Sequence, residues 1–168
     1  NGYLIECDGE GCIFDAHEGI AGWKAEKALE LQGLYLTHQH HDHVIGAGEL
    51  IKQNGCPVWA FDEPSEELTL AKRLEQMMGM PCQLDPYSVD HLINDLEPLS
   101  IGKLTAELLH IPGHSPDSVC FHFAEQQLVI GGDVLFQGGI GRTDFPNGDH
   151  AQLITGIIEK LWPLDDAT

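Results

Sequence analysis

Thr37-His38-Gln39-His40-His41-Asp42-His43 is the stretch on which both the fold and the chemistry turn. An apolar run, residues 34–37, leads into it, and a helix-like pattern over 44–53, closed by Asn54-Gly55, leads out. The stretch is therefore expected as a tight loop at the carboxyl end of a strand. On an extended backbone His38 and His40 alternate, so their side chains point the same way. Asp42 and His43 follow where the chain turns into the helix. Protonated imidazoles packed this densely would repel one another, and neutral ones need partners, so the cluster calls for a cation. Mixed nitrogen and carboxylate donors suit zinc, iron or manganese.

Working outward, two further strand ends offer donors of the same kind. Ile111-Pro112-Gly113-His114-Ser115 follows an apolar run, and its Pro-Gly turn sets His114 at the end of that run. Ile130-Gly131-Gly132-Asp133 repeats the arrangement with a carboxylate. Alone, His114 reads as an ordinary loop histidine and Asp133 as a turn cap. Three strand ends together make a metal site of His38, His40, Asp42, His43, His114 and Asp133 the better reading.

The rest of the chain alternates strands and helices. Strands at 3–6 and 11–15 form a hairpin about Asp8-Gly9-Glu10. A helix is expected over 20–32, with Ile20, Trp23, Ala28 and Leu31 near one face and Gly33 as its stop. A strand at 57–61 precedes a helix capped by Ser65, with Glu66 and Glu67 in its first turn. Residues 79–95 read as loop. Strands follow near 96–101, 104–111, 118–123 and 127–131, then a Gly-rich segment over 136–148 and a helix over 150–161. This order predicts layered α/β packing.

At 168 residues and 42% hydrophobic, the chain suits one domain, 1–168, with a real core. No apolar run is long enough for a bilayer-crossing helix, and no charged-then-apolar leader opens the chain. Position 1 is Asn and a strand begins at once, so the start is expected to be incomplete. Eight basic residues against 27 acidic give a net charge of -19. Such a field repels phosphate backbones and anionic membranes and attracts cations, which argues against nucleic acid or membrane partners. Five cysteines, an odd number with no C-x-x-C pair, argue against a disulfide framework or zinc ribbon and for a reducing cytoplasm.

The set T-H-x-H-x-D-H, P-G-H-[ST] and G-D-x-L-F resembles the metallo-β-lactamase superfamily in order and rough spacing across almost the whole chain. Residues 136–149, Phe-Gln-Gly-Gly-Ile-Gly-Arg-Thr-Asp-Phe-Pro-Asn-Gly-Asp, resemble its short glyoxalase II-like, or hydroxyacylglutathione hydrolase-like, branch. The resemblance implies a four-layer αβ/βα sandwich with metals at one edge of two facing sheets. Residues matching His38, His40 and His114 then bind one metal. Those matching Asp42 and His43, with a last histidine nearer the C-terminus, bind a second, and the aspartate matching Asp133 bridges them. Two such cations, zinc in the first instance and iron or manganese otherwise, lower the pKa of a shared water and present hydroxide to a thioester carbon such as that of S-lactoylglutathione. Asp42 is expected to orient that hydroxide as well as bind metal. Asp15 matches a family aspartate after the second strand and is expected to accept hydrogen bonds from the ligand loop. Arg142, one of two arginines, is expected either to pair with Asp144 or to receive a substrate carboxylate. Persulfide dioxygenases, iron oxidoreductases of the same fold that also carry G-R-T-D-F, are the alternative; a catalytically impaired metal-binding fragment is another.

The sequence departs from the family where Asp117 replaces a usual glycine after Pro116, and where Ala16-His17-Glu18 replaces a usual Pro-Gly after Asp15. The basic cluster that holds glutathione in longer relatives has no clear counterpart. No histidine follows His150, so the chain reads as truncated at both termini and the second metal group as short of one ligand. His17, His41, His91, His110, His122 and His150 are expected to serve packing or the surface.

Overall fold

The computed structural model describes residues 1–7, 9–27 and 29–168. Two sheets dominate it. The first, in the order β1-β2-β3-β4-β5, comprises Tyr3–Cys7, Glu10–Phe14, Glu30–Tyr35, Val58–Ala60 and His91–Leu92. β1 and β2 form the expected antiparallel hairpin, whereas β2, β3, β4 and β5 run parallel. The second sheet, β6 (Leu99–Ile101), β7 (Leu104–His110), β8 (Val119–Phe123) and β9 (Leu128–Ile130), is antiparallel throughout. A small hairpin of β10 (Leu135–Phe136) and β11 (Gly139–Ile140) follows.

The layering follows from side-chain alternation along strands. In β2, Ile13 enters a cluster with Ile20, Ala21, Val44, Ala47 and Leu50, which come from helices α1 (Ile20–Ala25), α2 (His41–Val44) and α3 (Ala47–Asn54). The next residue, Phe14, enters a different cluster with Ala106, Leu108, Phe121 and Phe123 of the second sheet. In β8 the same switch occurs: Phe121 faces the first sheet, while Cys120 joins Ile111, Leu153 and Ile157 beneath the last helix, α6 (His150–Gly156). Both sheets are thus covered on both faces, giving helix, sheet, sheet, helix. The Phe14 ring stacks on Tyr35 at 5.3 Å and meets Phe121 edge-on at 5.0 Å, which locks the two sheets together.

Two expectations need correction. The helix expected over 20–32 stops at Ala25, and residues 30–35 are strand β3. Leu31 fits a helical face with Ile20 and Trp23, but the backbone between two layers must be hydrogen-bonded, and the parallel ladder to β2 and β4 does that. Gly33 is a strand position under aromatic rings: an added Cβ would stand 3.0 Å from Tyr35 and 3.2 Å from Trp59. The face assigned to Ala28, and the turn residue Asp8, lie outside the described residues. The helix after Ser65 is two pieces, α4 (Glu66–Thr69) and α5 (Ala71–Met78), separated by left-handed Leu70. Ser65 does cap the first, accepting the Leu68 N–H at 3.3 Å. The helix expected over 150–161 is α6 continued by a π-helical turn at Ile157–Leu161.

Candidate metal centre

Four chain segments leave the carboxyl ends of strands on one edge of the sandwich. Asp15 follows β2, Leu36 to His43 follow β3, Ile111 to His114 follow β7, and Gly131 to Asp133 follow β9. They bring His38, His40, His43, His114 and Asp133 together. Donor atoms of His38, His40 and His114 all lie within 4.8 Å of one another, as do those of His38, His43 and Asp133. His38 belongs to both groups. Asp133 stands between them, one oxygen 3.3 Å from His43 Nε2 and the other 3.6 Å from His114 Nε2. His40 Nδ1 faces His114 Nε2 at 2.8 Å. Asp42 sits apart: its side chain is 76% exposed, with an oxygen 3.7 Å from His43 Nε2.

Hydrogen bonds from behind decide which nitrogen each ring offers. Asp15 is fully buried in a left-handed conformation. Its carboxylate accepts the Thr37 N–H and the Thr37 hydroxyl, each at 2.8 Å, and pairs with His43 Nδ1 at 2.9 Å. The Thr37 hydroxyl proton is therefore spent on Asp15, and its oxygen is left to accept from His38 Nδ1 at 3.1 Å. His114 Nδ1 donates to the Arg142 carbonyl at 2.8 Å. His38, His43 and His114 thus each give one ring N–H to a protein acceptor and turn Nε2 inward, the arrangement that orients metal-binding imidazoles.

A metal fits this donor set. His38 Nε2 is buried and has no hydrogen-bond partner among the described residues, so its lone pair lacks a positive group. Burial first, then the neighbouring imidazoles, holds His38 well below the ordinary histidine pKa, and the same causes bring His40 down to about 3. Burial also lowers His114, outweighing its bond to the Arg142 carbonyl. Burial opposes a charge on His43 too, but its bonds to Asp133 and Asp15 outweigh that and push it up to about 10. Burial would raise Asp133, yet the bond from His43 and the charges of His43 and His114 hold it low. Three bare nitrogens and an anionic carboxylate are what a divalent cation requires.

Arg142 makes a bidentate pair with Asp144, both bonds 2.7 Å, and lies 4.0 Å over the Phe145 ring. Phe145 in turn meets His40 edge-on at 5.6 Å. The other histidines stay out of the cluster. His110 stacks on Phe61 and bonds the Pro116 carbonyl, His122 pairs with Glu107, and His91 stacks on Trp59. His17 bonds the Glu18 carbonyl and His150 opens α6. His41, expected on the surface, is half-buried with Nε2 enclosed and without a partner among the described residues.

Sequence reasoning gave no role to Thr37, Gln39 or the Arg142 carbonyl. Thr37 stood in the quoted motif and was legible in principle. A carbonyl has no residue-type signature. Asp117, a departure from the family pattern in sequence, is fully buried, with its carboxylate accepting the Gln39 N–H at 3.0 Å and the Ser115 hydroxyl. Burial, outweighing those bonds, pushes its carboxyl up to about 6.

Comparison with known proteins identifies the family. Residues 3–168 match the family model described as the metallo-beta-lactamase superfamily. Hydroxyacylglutathione hydrolase GloC of Haemophilus influenzae is 42% identical over 144 residues, covering 84% of this chain and 67% of the relative. Probable metallo-hydrolase YqgX of Bacillus subtilis is 38% identical over 171 residues, covering 100% of this chain and 81% of the relative. Among solved structures, BLEG-1 B3 metallo-beta-lactamase superposes with TM-score 0.85 at 31% identity, covering 98% of this chain and 81% of that one. TTHA1623 in a di-iron-bound form superposes with TM-score 0.78 at 28% identity, covering 97% and 81%.

Proposed function

The chain belongs to the metallo-beta-lactamase superfamily, and from that premise we propose that it hydrolyses a thioester of the S-lactoylglutathione kind at a metal centre held by His38, His40, His43, His114 and Asp133. The observation that carries the reading is the buried Nε2 of His38, without a partner among the described residues, beside imidazoles whose other nitrogens are already engaged. The likeness to a hydroxyacylglutathione hydrolase supports the thioester.

A divalent cation bound here supplies Lewis-acid activation of water and of a carbonyl. The chain's own groups do the rest. Thr37, Asp15 and the Arg142 carbonyl fix the ring orientations, so little reorganisation remains when charge develops. His38, His40 and His114 would hold one cation; His43 and Asp133, with His38 shared between the two groups and Asp42 at the exposed rim, would hold a second. Asp42, at the rim 3.7 Å from His43 Nε2, would be the carboxylate that accepts a proton from an attacking water and orients it. Arg142 would receive a substrate carboxylate only by sharing its guanidinium with Asp144. The substrate is a small molecule. Among the described residues no helix is long and apolar enough to cross a membrane. All five thiols are unpaired, which supports placement in a reducing cytoplasm.

The test is thiol release from S-lactoylglutathione by protein stripped of metal and reloaded with zinc, iron or manganese. Release that returns with metal and is absent without it is the expected result. The di-iron form of TTHA1623 supports iron as a second reading of the metal. Oxygen uptake with glutathione persulfide by the iron form, without thioester cleavage by any form, would replace hydrolysis with persulfide dioxygenation.

A further inference from the structure

We propose that Asp117 is a positioning residue that sets the two ligand-bearing loops against each other. The inference rests on the metal reading of the site. Asp117 makes no hydrogen bond to an imidazole among the described residues. Its two carboxylate oxygens instead reach one residue on each loop. Oδ2 accepts the backbone N–H of Gln39, the residue between His38 and His40, at 3.0 Å. Oδ1 accepts the hydroxyl of Ser115, the residue after His114. One carboxylate therefore grips the immediate neighbours of all three imidazoles in the first group.

Gln39 itself has no freedom to compensate. It is fully buried, its Nε2 donates to the Asp62 carbonyl at 2.8 Å, and its Oε1 accepts the Tyr87 hydroxyl at 2.8 Å. The ligand loop is thus moored on one side to residues 62 and 87 and on the other to Asp117. Burying a carboxylate works against folding, so a stabilising role does not account for it. What the group supplies is distance: a glycine here would leave the Gln39 N–H and the Ser115 hydroxyl without this acceptor. The loops are also joined at their base by the Val119 N–H to the Thr37 carbonyl, 2.8 Å, a link that does not pass through Asp117.

The experiment compares wild type with Asp117→Asn, Asp117→Gly and Ser115→Ala at neutral to mildly basic pH. Zinc affinity is read by competition with a chromophoric chelator, ligand geometry by the visible spectrum of the cobalt form, and folding by melting of the metal-free chain. In Asp117→Asn the amide cannot accept both donors. Zinc binding should weaken by about 10–100-fold, as for other groups that orient ligands from behind. The cobalt spectrum should change, while the metal-free melt stays level or rises. Ser115→Ala removes one of the two bonds and should shift zinc affinity the same way by less, which keeps the proposal testable if an Asp117 variant fails to fold. Wild-type zinc affinity and cobalt spectrum in the folded variants would overturn it, as would a loss confined to melting. A wild-type chain that takes up no zinc or cobalt would overturn the metal reading as well. Tight zinc without thioesterase activity would overturn only the substrate.

Discussion

His38 contributes to both donor groups, whereas His40 contributes to one and His43 to the other. Replacing His38 by Ala should therefore deplete both groups, and His40→Ala mainly the first. Metal analysis after reloading with zinc should show His38→Ala losing most bound metal and activity. Full stoichiometry in that variant would place the metal elsewhere. Arg142 is tested by a pair of variants. Lysine keeps the charge but not the planar fork that grips Asp144 and covers Phe145. Both Arg142→Lys and Arg142→Ala should lower kcat/KM, by roughly tenfold for Ala, because the loop that supports His114 and His40 is loosened. Unchanged kcat/KM and melting in both would leave Arg142 without either role. Asp117 supplies a pH signature in the metal-free chain. Its folded pKa, about 6, lies above the ordinary 3.8, so the folded state holds the proton more tightly. The stabilisation is complete below pH 3.8 and is lost as pH rises through about 6, at a cost of about 3 kcal/mol. Asp117→Asn should remove that part of the stability profile; a variant profile parallel to wild type would contradict it.

At the scale of elements, the donors arrive because short turns end the strands where they do. Gly132 has φ +52°, and a Cβ there would collide with the Thr37 hydroxyl, the group that takes the His38 N–H. Gly132→Ala should both strain the turn and tilt His38. We expect a loss of about 2 kcal/mol, a drop in Tm on the order of 4–8 °C. Zinc affinity should fall with it, and zinc retained at wild-type affinity in a less stable variant would separate the turn from the site. The β10–β11 hairpin has a related constraint: a Cβ on Gly141 would meet the Asp133 carbonyl. The Gly-rich segment was legible as turn-forming, but its packing directly behind Asp133 was not. The metal loop, the hairpin of β1 and β2, and the Ser65 cap were all legible because each depends on residues close in sequence. The helix expected over 20–32 failed because the parallel ladder of β3 depends on β2 and β4, which no local period encodes.

Across the whole molecule the net charge of -19 surrounds a site proposed to take an anionic thioester. Like charge slows encounter, and salt relieves it. Raising ionic strength from ~0.01 M to ~0.15 M shortens the screening length from ~30 Å to ~8 Å. For S-lactoylglutathione, kcat/KM should therefore rise over that range, through KM more than kcat. A fall would mean that local positive charge at the mouth dominates the encounter, with Arg142 as the first group to test.

The family and the candidate donors with their order are written in the chain itself: T-H-x-H-x-D-H, Pro-Gly-His and Gly-Gly-Asp are local words, and their residue types state their chemistry. How those candidate donors divide depends on the folded chain. His38 is shared and Asp42 lies at the rim because strands β2, β3, β7 and β9 deliver their ends to one edge at particular heights. It also decided what stands behind the ligands. Asp15 and Asp117 become acceptors only because folding buries them and brings distant donors to them, Thr37 across 22 residues and Gln39 across 78. A buried carboxylate must take whatever donors the packed layers bring within reach, and that is a property of the assembled sandwich rather than of any stretch of chain.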